Sequence, residues 1–175
     1  LGGATFMNAG THEGEFVRVV RAVELATAEG IRWYEREELS WSYRRCALPE
    51  GAMVTRVKVR LDRADEAGLA ASRKAMEADL GYRKRTQPLH LPASGSVFTN
   101  PPGDYAGRLI EAAGLKGARR GGAMISEMHA NWIVNTGGAK AQEVLALIEL
   151  AREEVKARFD VSLSPELKLL GRWKP

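Results

Sequence analysis

Between Ala141 and Phe159 the sequence sets Val144, Leu147, Ile148, Ala151, Val155 and Phe159 at helical spacing, with Glu and Lys residues opposite them. An apolar stripe of that length has to be covered, so the chain must fold as a helix packed on a further layer. A strand that could help build such a layer runs from Val54 to Leu61. There Val57, Val59 and Leu61 alternate with Arg56, Lys58 and Arg60, the pattern of a half-buried strand. With 175 residues, 45% of them hydrophobic, the chain can bury a real core as one domain or as two small ones.

The remaining elements follow from punctuation. Leu1 to Gly10 is a run of small residues and reads as a loop. Arg21 to Thr27 and Ile31 to Tyr34 flank Ala28-Glu29-Gly30, where glycine supplies the positive φ of a tight turn, so a β-hairpin is expected. Ala64 to Leu80 is rich in helix formers and is expected to end before Gly81. The prolines and small residues from Gln87 to Ser96 predict a loop or domain junction. Beyond it, Asp104 is expected to cap a short helix running to Ala113 and ended by Gly114. Strands are expected at Asn131 to Asn135 and near Leu167 to Leu170. The fold class is therefore α+β: mainly strands plus one helix in residues 1–88, and a helix–strand–helix–strand layer in residues 89–175.

Charge narrows the partners without choosing one. A net charge of +4 and a pI near 9.4 suit nucleic acid, a phosphorylated small molecule, or no specific partner. The basic residues are scattered, and the one dense cluster, Arg83-Lys84-Arg85, has only Tyr82 beside it, which speaks against a nucleic-acid stripe with interleaved aromatics. No apolar run approaches the roughly 20 residues that cross a bilayer. The first residues carry no secretory signal, and the single cysteine, Cys46, cannot form an internal disulfide and fits a reducing cytosol. There is no Walker loop, no zinc-type Cys/His spacing and no His-Glu-x-x-His motif, so no metal site is expected. His12, His90 and His129 each read first as structural or surface residues.

On residue chemistry alone the polar candidates are equally plain. Ser96 sits beside Gly95 as turn serines do, with no GxSxG elbow or evident partner histidine. Arg44 is a surface cation as readily as a bidentate clamp for a carboxylate. Glu166, following Pro165, is by default a solvated carboxylate.

Six separated segments change that reading when taken together: Gly2–Gly10, Leu39–Arg44, Arg85–Leu89, Gly95–Pro101, Gly121–Asn131 and Leu163–Leu167. In this order they resemble the UDP-N-acetylenolpyruvoylglucosamine reductase family, and they span essentially the whole chain. The short spacing from Arg44 to Ser96 resembles the more compact of that family's two forms. The resemblance implies the remainder of an FAD-binding α+β domain over residues 1–88, then a smaller α+β substrate-binding domain over residues 89–175. It also implies a cytoplasmic enzyme of peptidoglycan synthesis. In such an enzyme NADPH reduces FAD, and a hydride then reaches the enolpyruvyl double bond of UDP-N-acetylglucosamine enolpyruvate, giving UDP-N-acetylmuramate.

By the same resemblance, Ser96 corresponds to the proton donor, Arg44 to the cation that stabilises the developing carboxylate charge, and Glu166 to the acidic member of the catalytic set. Tyr43, Asn100 and His129 correspond to substrate contacts, and Arg85 or Lys84 to a diphosphate contact. Gly2, Gly3, Ala4, Asn8, Ala9 and Gly10 resemble the flavin-lining loop. Thr99 stands where the family often has lysine before Asn-Pro, which removes a cation. The chain opens inside the second flavin segment, so the family's N-terminal half-domain is expected to be missing and flavin binding by the isolated chain weak or absent. The alternatives are a truncated homologue that holds a UDP-sugar without reducing it, and a basic nucleic-acid-binding domain.

Overall fold

The Val20–Thr27 segment is the most buried stretch of the first half, and it carries that half's architecture. A computed structural model describes residues 1–11 and 14–171, so His12 lies outside the described residues. The chain divides into two units, Leu1–Glu66 and Ala67–Pro175. In chain order the first holds α1 (Gly2–Phe6), β1 (Gly10–Thr11), β2 (Gly14–Glu15), β3 (Val20–Thr27), β4 (Gly30–Glu35), β5 (Ser40–Ser42), β6 (Arg45–Ala47) and β7 (Met53–Val59).

The three longer strands make an antiparallel sheet in the order β4-β3-β7. The expected hairpin is present: Thr27 pairs with Gly30, and Gly30 takes φ 128°. Val20, Val23 and Leu25 pack with Leu39 and Cys46 in a small core. Burial raises the Cys46 thiol to about 11, so it remains protonated.

Two expectations fail here for local reasons. The opening segment is not all loop: Gly2–Phe6 is a short helix, closed by the Met7 N–H on Gly3 O at 3.0 Å, the Asn8 N–H on Thr5 O at 3.1 Å, and Thr5 Oγ1 donating to Leu1 O at 3.2 Å. The β7 strand exists, but its inward face is not Val57, Val59 and Leu61. A register shift between Glu24 and Leu25 leaves Thr55 outside the one-to-one pairing, so parity flips. Val54 and Val57 both pack on the core, while Val59 and Leu61 are exposed. The bulge also meets a buried carboxylate: Glu24 Oε1 accepts from Thr55 Oγ1 at 2.7 Å and pairs with Arg56 Nε at 3.0 Å.

The second unit carries α2 (Glu66–Thr86, whose first residue precedes the division), β8 (Ala93–Ser96), α3 (Ala106–Ala112), β9 (Arg119–Arg120), β10 (Ala123–Ile125), β11 (Trp132–Asn135) and α4 (Ala141–Phe159). The α4 bounds coincide with the predicted helix. Its Leu147, Ile148, Ala151 and Val155 pack with Leu109 and Ile110 of α3 on one face of a four-stranded antiparallel sheet, order β8-β11-β10-β9. Val97, Ala123, Ile125 and Ile133 are that face's contribution to the core.

The other departures are matters of termination and capping. The α2 helix runs through Gly81, which stays in the negative-φ range, and ends only near Pro88; proline has no N–H and disfavours helix in the residue before it. Ala93–Ser96 is an edge strand rather than loop, tolerating Gly95 at φ 88° because it pairs on one side only, at an irregular register with β11. Asp104 does not cap α3. It pairs with Arg108, and Asn100 Oδ1 accepts the Ala106 N–H at 3.1 Å instead. No strand forms at Leu167–Leu170: the C-terminal segment contributes a single bridge, Phe98 with Pro165.

The Gly121-Gly122 pair is explained by packing. A Cβ on Gly122 would lie against Gly137 O and 2.6 Å from Ala139 N, both main chain, while Glu143 Oε2 accepts the Gly122 N–H at 3.1 Å and the Lys140 N–H at 2.9 Å. This closes the N-terminus of α4 onto the β9–β10 turn. Gly122→Ala is therefore expected to cost about 3 kcal/mol or more. Gly3→Ala, whose added methyl meets nothing within 4 Å, should cost none. Chemical denaturation of the two variants checks the contrast.

Candidate active site

The polar candidates separate by unit, and each unit builds its own group. In the first, Ser42 pairs with Arg45 across the β5–β6 hairpin, leaving Tyr43-Arg44 as its two-residue turn. Arg44 takes φ 55°, a left-handed conformation that costs a non-glycine residue about 1–2 kcal/mol. Its guanidinium lies 5.1 Å from the centre of the exposed Tyr43 ring. Asn8 braces this turn from beneath. Fully buried, it donates Nδ2 to Ser42 O at 3.0 Å and accepts the Val17 N–H on Oδ1 at 3.0 Å.

That geometry sorts the expected flavin-lining residues. Both polar ends of the Asn8 side chain are engaged within the fold. Gly10 is required by its own hairpin, since a Cβ there would lie 2.7 Å from Gly14 O. Gly2 would place a Cβ 3.7 Å from Val54, ordinary contact, and Gly3 opens onto empty space. Gly3 is thus the residue of this segment whose missing side chain the fold itself does not use.

In the second unit, strand pairing brings Ser96 and Glu166 onto neighbouring segments. Ser96 pairs with Trp132, and Val97, one residue on, turns into the core, so Ser96 belongs to the sheet face turned away from α3 and α4. Met124 and Val134, also buried yet outside the helix-packed core, share that face. The Glu166 N–H donates to Val97 O at 2.8 Å, and Thr99 donates its N–H (3.0 Å) and its hydroxyl (3.2 Å) to Ser164 O. The Thr99 hydroxyl, at the position noted above as often lysine, is therefore structural. Among the described residues, Trp132 Nε1 is the buried side-chain atom without a hydrogen-bond partner.

His129 lies in a loop shaped by Ser126, whose Oγ accepts the N–H groups of Met128 at 3.1 Å and His129 at 3.4 Å. Its Nδ1 accepts the Asn131 N–H at 3.2 Å, which only the neutral ring can do, and its ring tilts against Trp132 at 6.5 Å. A Cβ on Gly107 of α3 would lie 3.0 Å from His129 Cε1, so the helix approaches closely at that glycine. Asn100 is exposed with Oδ1 engaged in capping α3. Arg85 and Lys84 stay on the exposed last turn of α2, where cations complement the helix dipole, and the Arg85 guanidinium lies back over Gly81.

Asn131 is the residue sequence reading passed over. It is buried, and its side chain accepts from Phe98 N at 2.9 Å and donates to Phe98 O at 2.8 Å. The available signal was an amide at the head of the apolar run Trp132-Ile133-Val134.

Burial is the largest cause holding the His129 pKa below its ordinary value, ahead of the Lys116 charge. A base whose folded pKa is depressed binds fewer protons folded than unfolded, so its contribution is present above the unfolded value near 6.5 and is lost as pH falls toward the folded one. Between about pH 7 and pH 5 the protein is expected to lose more stability than His129→Gln, by denaturant midpoints measured at both pH values. Equal losses would count against a buried, neutral His129.

Comparison with known proteins follows the same outline. The profile of the UDP-N-acetylenolpyruvoylglucosamine reductase C-terminal domain matches residues 87–170. The reductase of Myxococcus xanthus is 56% identical over 171 residues, covering 98% of this chain and 54% of that protein. The reductase of Anaeromyxobacter sp. strain Fw109-5 is 54% identical over 173 residues, covering 99% and 54%. The chain therefore spans about half the length of these curated relatives. The crystal structure of UDP-N-acetylenolpyruvylglucosamine reductase from Thermus caldophilus superposes with a TM-score of 0.80 at 41% identity, over 95% of this chain and 59% of that one. Residues 87–170 thus match the C-terminal domain of the UDP-N-acetylenolpyruvoylglucosamine reductase family, and the chain as a whole is similar to about half the length of such reductases.

Proposed function

We propose that this chain is the Arg44-, Ser96- and Glu166-bearing part of a cytoplasmic reductase of peptidoglycan synthesis, which converts UDP-N-acetylglucosamine enolpyruvate to UDP-N-acetylmuramate with NADPH and FAD. Residues 1–88 form the remainder of the flavin domain and residues 89–175 the substrate domain. The observation that supports the reading is the pairing of Val97–Thr99 with Ser164–Glu166, which brings Ser96 and Glu166 onto adjoining backbone.

Gly2, Gly3, Ala4 and Ala9 would hold the flavin, which when bound would supply the hydride. Hydride addition at the terminal carbon of the enolpyruvyl group pushes the π electrons toward the substrate carboxylate. Arg44, on a turn whose strained backbone is fixed by Asn8, presents a guanidinium fork to that charge. Ser96 delivers its Oγ proton to the neighbouring carbon and recovers one from solvent. A serine hydroxyl is a poor acid in water, so this step depends on the anionic intermediate standing next to it. Glu166 repels that intermediate unless its carboxyl is protonated or bridged by water. Tyr43, Asn100 and His129 hold the rest of the substrate, with His129 neutral and able to donate from Nε2 while Nδ1 is occupied. Arg85 or Lys84 meets the diphosphate.

In the flavin-loaded full-length protein, Ser96→Ala should slow substrate-driven flavin reoxidation by roughly 10²–10⁴-fold and leave NADPH-driven flavin reduction unchanged, by stopped-flow absorbance of each half-reaction. Equal slowing of both would show that Ser96 is not the proton donor.

A further inference from the structure

We infer that Asn131 is a positioning residue that holds Ser96 and Glu166 in register, an inference resting on the reading above that these two act on the substrate. The β8–β11 ladder runs out at Ser96, paired with Trp132, and is followed by one last main-chain bond, Val97 N to Asn131 O at 2.9 Å. Past that point the side chain of Asn131 takes over. Its amide accepts from Phe98 N at 2.9 Å and donates to Phe98 O at 2.8 Å, the two bonds a further strand residue would have made.

The opposite edge of the same three residues is bonded to the C-terminal segment, through Glu166 N to Val97 O at 2.8 Å and Thr99 N to Ser164 O at 3.0 Å. Val97–Thr99 is thus clamped on both edges, with Ser96 immediately before it and Glu166 directly alongside. Asn131 has little freedom to release its hold, because it is 3% exposed and its Cβ lies 3.6 Å from where a Gly107 side chain would begin. Without the amide, the buried Phe98 N–H and C=O lose their partners and the segment is free to seek others, carrying Ser96 with it. A displacement near 1 Å at a reacting group is enough to cost about 100-fold in rate.

The test compares Asn131→Leu and Asn131→Asp with Ser96→Ala in the flavin-loaded full-length protein. Leucine removes both bonds at similar volume. Aspartate keeps the acceptor for Phe98 N and sets an oxygen against Phe98 O. Substrate-driven flavin reoxidation is expected to fall roughly 10–100-fold in Asn131→Leu and by less in Asn131→Asp, with substrate KM within about threefold and NADPH-driven reduction unchanged. Amide exchange at Phe98 and Glu166 should rise by about tenfold or more while exchange at Ile148 and Ala151 of α4 stays constant, a readout independent of turnover. Should Asn131→Leu fail to fold, Asn131→Asp carries both measurements. The inference is overturned if a folded variant keeps exchange at Phe98 and Glu166 and reoxidation within twofold of the parent, or if both half-reactions fall together. If Ser96→Ala leaves reoxidation unchanged, the reading of Ser96 fails, and the exchange data still decide whether Asn131 holds the segment.

Discussion

Three residues, Val97, Phe98 and Thr99, are hydrogen-bonded along both edges, and much of the second unit depends on that. On one edge they continue the antiparallel ladder of β11 through the main chain and then the side chain of Asn131. On the other they hold the C-terminal segment at Ser164 and Glu166. Val97 and Phe98 are buried in the core under α3 and α4, so the segment is anchored by apolar packing as well as by its bonds. Ser96, at the margin of this anchored stretch, is left on the sheet face away from the helices. In the proposed reaction Ser96 approaches a carbon atom closely, a role best carried by backbone that cannot drift.

The first unit solves a similar problem with a similar device. Arg44 needs a left-handed backbone at a turn, and a buried asparagine bonded to Ser42 O and Val17 N makes the surrounding fold hold it there. In both units the side chain proposed to act on the substrate is exposed or half-buried, while the asparagine beside it is buried and engaged at both ends. The glycines divide in the same way. Gly10, Gly107 and Gly122 are demanded by neighbouring atoms of the chain, whereas Gly3 borders open space where a ligand's surface can come close.

The sequence showed elements where periodicity and boundaries agreed. In α4 the stripe has one period throughout and ends at Asp160, whose φ of 55° stops the helix, so both bounds were readable. The β3–β4 hairpin was equally clear because Gly30 marks its turn. What escaped were features set by a single local bond. The Thr55 bulge brings Val54 onto the same inward face as Val57 without changing the alternating composition of β7, Gly81 looks like a stop but is carried through by the helix on either side, and Asp104 looks like a cap but is taken by Arg108. The same limit applies at the site. Ser96, Arg44 and Glu166 entered through resemblance, since their residue chemistry alone favoured turn and surface roles. Asn8 was expected to line a ligand and Asn131 was overlooked, because an amide engaged with backbone and one facing a ligand read identically in a sequence.

The central proposal is that Ser96, Asn100, His129 and Glu166 of the second unit hold a uridine diphosphate sugar. Titrating UDP-N-acetylglucosamine into the isotopically labelled chain and following backbone amide shifts tests it most directly. Saturable shifts at Ser96, Asn100, His129 and Glu166 with a single dissociation constant are expected. Absence of shifts at these four residues, or shifts confined to Arg83–Arg85 that vanish with added salt, would contradict it.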